Sequence, residues 1–477
     1  MLTVGLVFSL ASLNINALQN DKNKLPEIGA AGTSVLSIEK ERILGDAMMR
    51  QLRGQRGVMN DPVLMEYINT IGNNMVKNAN DVNYSFEFFM INSNDINAFA
   101  FFGGHIGVHS GLVMASENES ELASVLAHEI SHVTQRHLAR KIEAQSRSQP
   151  LSMAGMISGV LIALVNPTVG MAALSTSVAA SQQASINYTR SNEQEADRVG
   201  IQLLSDSGFD PNGAPNFFGK LAQKYRYTSK PPAMLLTHPL PDSRIADARI
   251  RAQKYPVKIL SPSLDFELAK ARIIGRYKGN AEKSIEYYRA QLRKKRYAIK
   301  EAALYGLAIS LYEEKEYQES FDILNALYKK DNKNLFYLDL LADLGISMKH
   351  FEGTIDLLAQ MHNIMPNNQV VTLNYANVLL EAGELDKAAS VLQDFLLVKQ
   401  DHFIAYDILT NVYKKQKNTA MMHATQAEVY ALVGSYPRAV DELHTAYAHA
   451  DKSPLIQKRF KARILQFQDQ QDKLKRL

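Results

Sequence analysis

The chain has 477 residues, enough for roughly two to four domains, and its 53 Lys and Arg against 49 Asp and Glu leave a net charge of only +4, which argues against nucleic acid as a partner. Cysteine is absent, which excludes disulfides, thiolate metal sites and cysteine nucleophiles together. Histidine, aspartate and glutamate remain as the available metal ligands.

The apolar run from Met1 to Leu13, ending near Ala17, reads as a secretory signal over residues 1–17; it is too short to span a bilayer and lacks the usual basic start. A buried N-terminal strand is the alternative. From about Ser37 to Asn80 the pattern predicts two helices, the second opened by Asp61-Pro62 and carrying Leu64, Tyr67, Ile68, Ile71 and Met75 on one stripe. The period then shortens. Tyr84 to Ile91 and Ala98 to Phe102 read as strands, with Gly103-Gly104 as a hairpin turn into a third strand, His105 to His109.

His128-Glu129-Ile130-Ser131-His132 follows, reached through a stretch from Glu117 to Ala127 with acids at its start and apolar residues at helical spacing. Inside a helix the two imidazoles share a face and can reach one Zn²⁺, while Glu129 stands beside the water as general base. The preceding small sheet offers an edge along which an extended peptide can pair through its backbone. The plainer alternatives are a solvated helix face and an ordinary sheet edge. His105 and His109 on strands, and His137 five residues past His132, are given no catalytic part.

Between Arg147 and Arg190 no charged residue occurs. Asn166-Pro167 divides this segment into arms shorter than the roughly 20 residues a bilayer needs, so residues 148–189 read as a flexible apolar flap that covers the active site, touches a membrane surface or meets a hydrophobic client. The helical stretch Asn192 to Ile201 is the place for a further ligand: Glu193 and Asp197 share a face, so one can bind metal while the other fixes a histidine's distal N–H. By spacing alone Glu195 also qualifies. Thr237-His238-Pro239 is rigid and non-helical, and a helix starting at Asp242 or Ser243 puts Arg244 in its first turn, where a cation opposes the helix dipole and calls for an anionic partner.

The pair HExxH and ExxAD, 61 residues apart (193 − 132), resembles the metallopeptidase family that includes the CAAX prenyl proteases and the membrane heat-shock protease HtpX. The resemblance covers roughly residues 38 to 258, including the hairpin from Asn97 to Leu112 as substrate edge and the Thr237-His238-Pro239 to Arg244 pattern. It implies one zinc ion held by His128, His132 and Glu193, with Glu129, Asp197 and Arg244 as the catalytic group, Arg244 acting at the transition-state oxyanion or in ordering the cleft. His238 is either a substrate-side donor or a fourth ligand that closes the site, since zinc with four protein ligands has no position for water.

Tyr317, Phe351 and Leu385 recur at a step of 34 residues, as do Ser320, Thr354 and Ala388, and Leu324, Leu358 and Leu392. That period in helical sequence resembles tetratricopeptide repeats, helix pairs that bury their faces against their neighbours. Gly306, Gly345 and Gly383 fall where paired helices meet, and less regular copies span Ala269 to Arg293 and Phe403 to Ala448, where the step departs from 34. The expected fold is thus an α+β zincin-like protease domain, mostly helical with a small sheet, over residues 18–258, followed by an all-α repeat solenoid over 263–477. Signal, protease and repeats in this order resemble a periplasmic branch of the family in Gram-negative bacteria. That implies a zinc endopeptidase with a chaperone-like role, promoting assembly of outer-membrane β-barrel proteins and degrading misassembled ones. It further implies contact with the β-barrel assembly machinery and the lipopolysaccharide-transport barrel. The competing readings are a dormant protease fold whose repeats do the binding, and a protease anchored in the membrane through residues 151–180.

Overall fold

The computed structural model describes residues 36–55, 57–146, 190–227, 232–450 and 453–475; the expected signal and the apolar flap lie outside them. Ser37 caps helix α1 (Ile38–Arg53) by accepting from the Lys40 amide, and acids in its first turn and arginines in its last complement the dipole. Asp61 caps α2 (Pro62–Val76) through the Val63 and Leu64 amides, with proline at the start, and the expected stripe from Leu64 to Met75 is buried. Three short strands follow, β1 (Glu87–Ile91), β2 (Ala98–Phe101) and β3 (His105–His109). Their spatial order is β1-β3-β2, with β1 parallel and β2 antiparallel to β3, Ala98 standing opposite Val108 and Phe101 opposite His105. The hairpin turn needs glycine: Gly104 has φ +84°, and a Cβ there would lie 2.8 Å from the Ser85 carbonyl oxygen. Alternation along the strands gives the sheet two apolar faces. Ala98, Ala100, Ile106 and Val108 join one core, while Phe89, Phe99 and Phe101 pack with Leu44 and Met48 of α1 in a second.

The rest of the first half is helical: α3 (Ser110–Ala115), α4 (Glu119–Thr134), α5 (His137–Ser146), α6 (Arg190–Asp206), α7 (Gly213–Tyr225), α8 (Ala233–Thr237) and α9 (Asp242–Ala252). Asn118 caps α4, which is buried along its whole length from Ser120 to Thr134. The packing of α4 on α6 is close enough that a Cβ at Gly200 would sit 3.2 Å from the Ala127 carbonyl carbon and the His128 nitrogen. Helix α4 stops at a left-handed residue, Arg136 (φ +51°), whose buried guanidinium bonds to the Glu41 carboxylate and, at 2.8 Å, to the Leu36 carbonyl.

The second half is a helical array: α10 (Leu264–Arg272), continued by a π turn, α11 (Ala281–Lys294), α12 (Lys300–Glu313), α13 (Tyr317–Lys330), α14 (Leu335–Ser347), α15 (Phe351–Ile364), α16 (Gln369–Ala382), α17 (Leu385–Val398), α18 (Phe403–Lys415), α19 (Thr419–Leu432), α20 (Tyr436–Ala448) and α21 (Pro454–Lys475). Helices α13, α15 and α17 open on Tyr317, Phe351 and Leu385, so the 34-residue step in sequence is a step between helix starts. The step also continues further than expected: α19 opens on Thr419, 34 residues past Leu385 (419 − 385), although Thr419, Met422 and Gln426 break the residue pattern. Gly306 and Gly345 do mark close helix contacts, since a Cβ at either would lie 2.2 Å from the Tyr288 ring or 2.1 Å from the Thr354 hydroxyl.

The array curls back over the protease half. Tyr67 of α2 meets Phe336 of α14 edge-on at 6.5 Å, and one continuous apolar core runs from α2 and α4 into α10, α12 and α14. Beneath it lies an ionic clamp: buried Arg272 binds Asp61 at 2.6 Å and Asp339 at 2.7 Å, and the Tyr277 hydroxyl donates to Asp61 at 2.7 Å. Farther along, Asn368 and Gln369 donate to Glu66, and Arg50 of α1 donates to the Ala431 carbonyl in α19 at 3.0 Å. Among the described residues no helix is long and apolar enough to cross a membrane.

Candidate metal centre

Helix α4 sets His128 and His132 one turn apart, with their Nε2 atoms 3.0 Å from each other. Helix α6 brings Glu193 across from the facing side, 3.4 Å from His128 Nε2 through one oxygen and 3.4 Å from His132 Nε2 through the other. His238, just past α8, stands with Nδ1 3.1 Å from Glu193 and Nε2 3.5 Å from Glu129. All four of His128, His132, Glu193 and His238 are buried, and one ligand atom from each lies within 4.8 Å of every other. Two ligands bound to zinc at about 2.0–2.2 Å in a tetrahedron sit roughly 3.4 Å apart, so the separations observed suit such an ion.

The surroundings fit a cation as well. Burial acts to raise Glu193, but His238, His128 and His132 hold its carboxyl well below the usual range, so an anion faces three imidazoles. Burial would lower His128, yet Asp197 and Glu193 carry it up to about 10, while burial leaves His132 well below the ordinary histidine value. Glu129 is wholly buried, and burial raises its carboxyl against the pull of His238 and His128. Its carboxylate meets the Ala100 backbone of β2 and lies 3.5 Å from His238 Nε2, without a close side-chain hydrogen bond.

Asp197 approaches His128 Nδ1 at 3.0 Å, on the ring side away from Nε2. Arg244 spans both acids of α6: Nε and Nη2 donate to Asp197 at 2.7 and 2.8 Å, and Nη1 donates to Glu193 at 2.6 Å and to the Pro239 carbonyl at 2.7 Å. These are the anionic partners that a cation in the first turn of α9 requires. Strand β2 is the sheet edge beside α4, and the Met234 amide of α8 donates to Ile96 just before it. Glu195 is outside the ligand group. It accepts from Arg140 at 3.0 Å and lies 3.0 Å from His137 Nε2.

His137 is the residue that helical spacing misses. Counting on from His132 assumes a continuous helix, but the turn at Arg136 swings the chain back and sets His137 Nδ1 2.8 Å from His132 Nδ1. The other two histidines of the sheet stay away from the centre. His105 lies between Glu87 and Asp46, and His109 packs edge-on against Phe99, where burial lowers it to about 4.

A buried, helix-borne HExxH with a carboxylate from a second helix within reach of the same ion defines a metallopeptidase, joined to a tetratricopeptide array. The model of peptidase family M48 matches residues 62–252 and that of a tetratricopeptide repeat residues 346–412. The beta-barrel assembly-enhancing protease of Escherichia coli K12 is 41% identical over 464 residues, 96% of this chain and 94% of that protein. A Vibrio cholerae protein assigned to the same group is 43% identical over 456 residues, 95% and 94% of the two chains. The chain therefore belongs to the beta-barrel assembly-enhancing protease branch of family M48. The metalloprotease LoiP of E. coli matches at 26% identity over 45% of this chain and 83% of its own.

Proposed function

We propose that the chain is a zinc-dependent endopeptidase in which His128, His132 and Glu193 hold the ion and His238 occupies the remaining position at rest. The convergence of four buried donor atoms within 4.8 Å carries this reading. Zinc, when bound, supplies Lewis acidity to a water and to the scissile carbonyl. Glu129 takes the proton of the attacking water and returns it to the leaving amine, and its raised carboxyl suits that exchange. Asp197 holds His128 through Nδ1, and Arg244 fixes Asp197 and Glu193 relative to each other. With every arm of its guanidinium engaged, Arg244 orders the cleft and leaves the transition-state oxyanion to the ion. The β2 edge pairs with the backbone of an extended substrate, which makes the choice of side chains secondary.

The clients under this reading are outer-membrane β-barrel proteins in the periplasm, whose assembly the chain promotes and whose stalled forms it cleaves. The names of the relatives and the protein-binding repeats support it. Contacts with the β-barrel assembly machinery and the lipopolysaccharide-transport barrel complete the proposal, with residues 1–17 as export signal, 18–258 as protease domain carrying the flap at 148–189, and 263–477 as the array. His238 beside the metal ligands favours a second reading, a closed centre whose repeats act by binding alone. Metal analysis of the wild type and Glu193→Gln, with cleavage assays on an unfolded protein, separates the two. One zinc per wild-type chain, none in Glu193→Gln, and cleavage lost in Glu129→Gln with zinc retained support the peptidase. A zinc-loaded wild type that never cleaves supports the closed binder.

A further inference from the structure

We infer that Glu195 and His137 form a positioning relay that locks the ring of His132 for metal binding. This rests on the zinc reading above and extends it to two residues outside the ligand set. His132 turns Nε2 toward Glu193 and His128, so its proton must sit on Nδ1 if Nε2 is to offer a lone pair. Nδ1 is 2.8 Å from His137 Nδ1, which then accepts. His137 in turn carries its proton on Nε2 and donates to the Glu195 carboxylate at 3.0 Å. Along these contacts the three groups share a single pattern of tautomers.

The arrangement is built in. His137 is wholly buried, and its position follows from the left-handed turn at Arg136, which the buried Glu41 carboxylate and the Leu36 carbonyl pin. Arg140, one turn along α5, shares the same Glu195 oxygen at 3.0 Å and keeps that carboxylate facing His137. The two ligand histidines are thus steadied by different means: His128 directly by a buried acid, His132 through a neutral ring backed by a half-exposed one. A direct carboxylate makes an imidazole more basic than a neutral ring does. The asymmetry gives His132 a fixed orientation with less added charge in a pocket that already holds Glu193, Glu129 and Asp197.

Outer-sphere partners of this kind typically change metal affinity by about 10- to 100-fold. The test uses the full chain loaded with Zn²⁺, and measures zinc retention against a chelator for the wild type, His137→Phe, Glu195→Leu and Glu195→Gln. The visible spectrum of the Co²⁺-loaded proteins reports the ligand field directly. About 10- to 100-fold weaker zinc retention in His137→Phe and Glu195→Leu, altered Co²⁺ bands, and recovery in Glu195→Gln, whose amide oxygen still accepts, are the results expected. Glu195 is partly exposed, so its variants remain readable if His137→Phe fails to fold. Retention within twofold of wild type in Glu195→Leu, or in a folded His137→Phe, with unchanged Co²⁺ bands, overturns the relay. A wild type that binds no zinc defeats instead the reading on which it rests.

Discussion

Replacing Arg272 by methionine tests how the two halves are joined. The side chain keeps an apolar stem that ends about where the guanidinium begins, and it loses ion pairs of 2.6 Å to Asp61 and 2.7 Å to Asp339, together with a 3.1 Å bond to the Tyr305 hydroxyl. Both acids are buried, so each becomes a charge without its main counterion. Removing one partner of a buried pair costs about 3–5 kcal/mol, because the group left behind stays desolvated. Asp61 retains the amides of Val63 and Leu64 and the Tyr277 hydroxyl, and Asp339 retains the Asn374 amide at 2.9 Å, which sets the expectation near the low end, about 3 kcal/mol. With an unfolding entropy of about 2 cal/mol/K per residue, a chain of 477 residues that melts as one unit loses about 3 °C in Tm. Melting followed by circular dichroism, with urea midpoints as a second measure, reads it. The triple variant Arg272→Met, Asp61→Asn, Asp339→Asn should recover most of the loss, since no uncompensated charge remains. A single variant melting within about 1 °C of wild type, or a triple variant no better than the single, refutes the argument.

Three further outcomes are expected. His238→Ala should leave zinc bound and raise cleavage of an unfolded protein several-fold, and a loss of cleavage would sink the closing role. Gly200→Ala should push the Ala127–His128 backbone by a few tenths of an ångström; turnover should fall about tenfold or more with little change in melting, and unchanged kinetics would count against the tight α4–α6 approach. Burial would raise Glu87, but Arg53 and His105 bring it down to about 2, so its contribution to stability is in place above about pH 4.5 and lost as pH falls toward 2. Glu87→Gln should therefore flatten the acid limb of a stability-pH curve, and an unchanged limb would contradict the assignment.

Much of this fold is written in local patterns. Asp61-Pro62 announces α2 because capping and fixed φ are properties of those residues alone, and the turn glycines announce the hairpin for the same reason. The 34-residue step survives because each helix pair repeats the same contacts, and it fades at Thr419 because the helix start is kept while its apolar markers are not. Motif spacing likewise brings out His128 and His132, while Glu193 is singled out over Glu195 only by the family resemblance; the structure sets the three within reach of one ion. His137 escapes the same logic: the helix it was counted along ends at Arg136, and the cause lies with Glu41, 95 residues away. The Asp61–Arg272–Asp339 clamp is invisible for the same reason. Its three charges look like surface residues until the array folds over them.

The array holds the protease along its length, from Arg272 on Asp61 near its beginning, through Gln369 on Glu66, to Ala431 under Arg50 toward its end. A solenoid is springy, since small rotations at each junction add along its length. Tension on such a coil is delivered where it is tethered, and here the tethers are α1 and α2, the helices that flank the sheet beside Glu129. Any uncoiling or tightening of the repeats would therefore bear on the helices that carry the sheet, at a distance from the cleft itself.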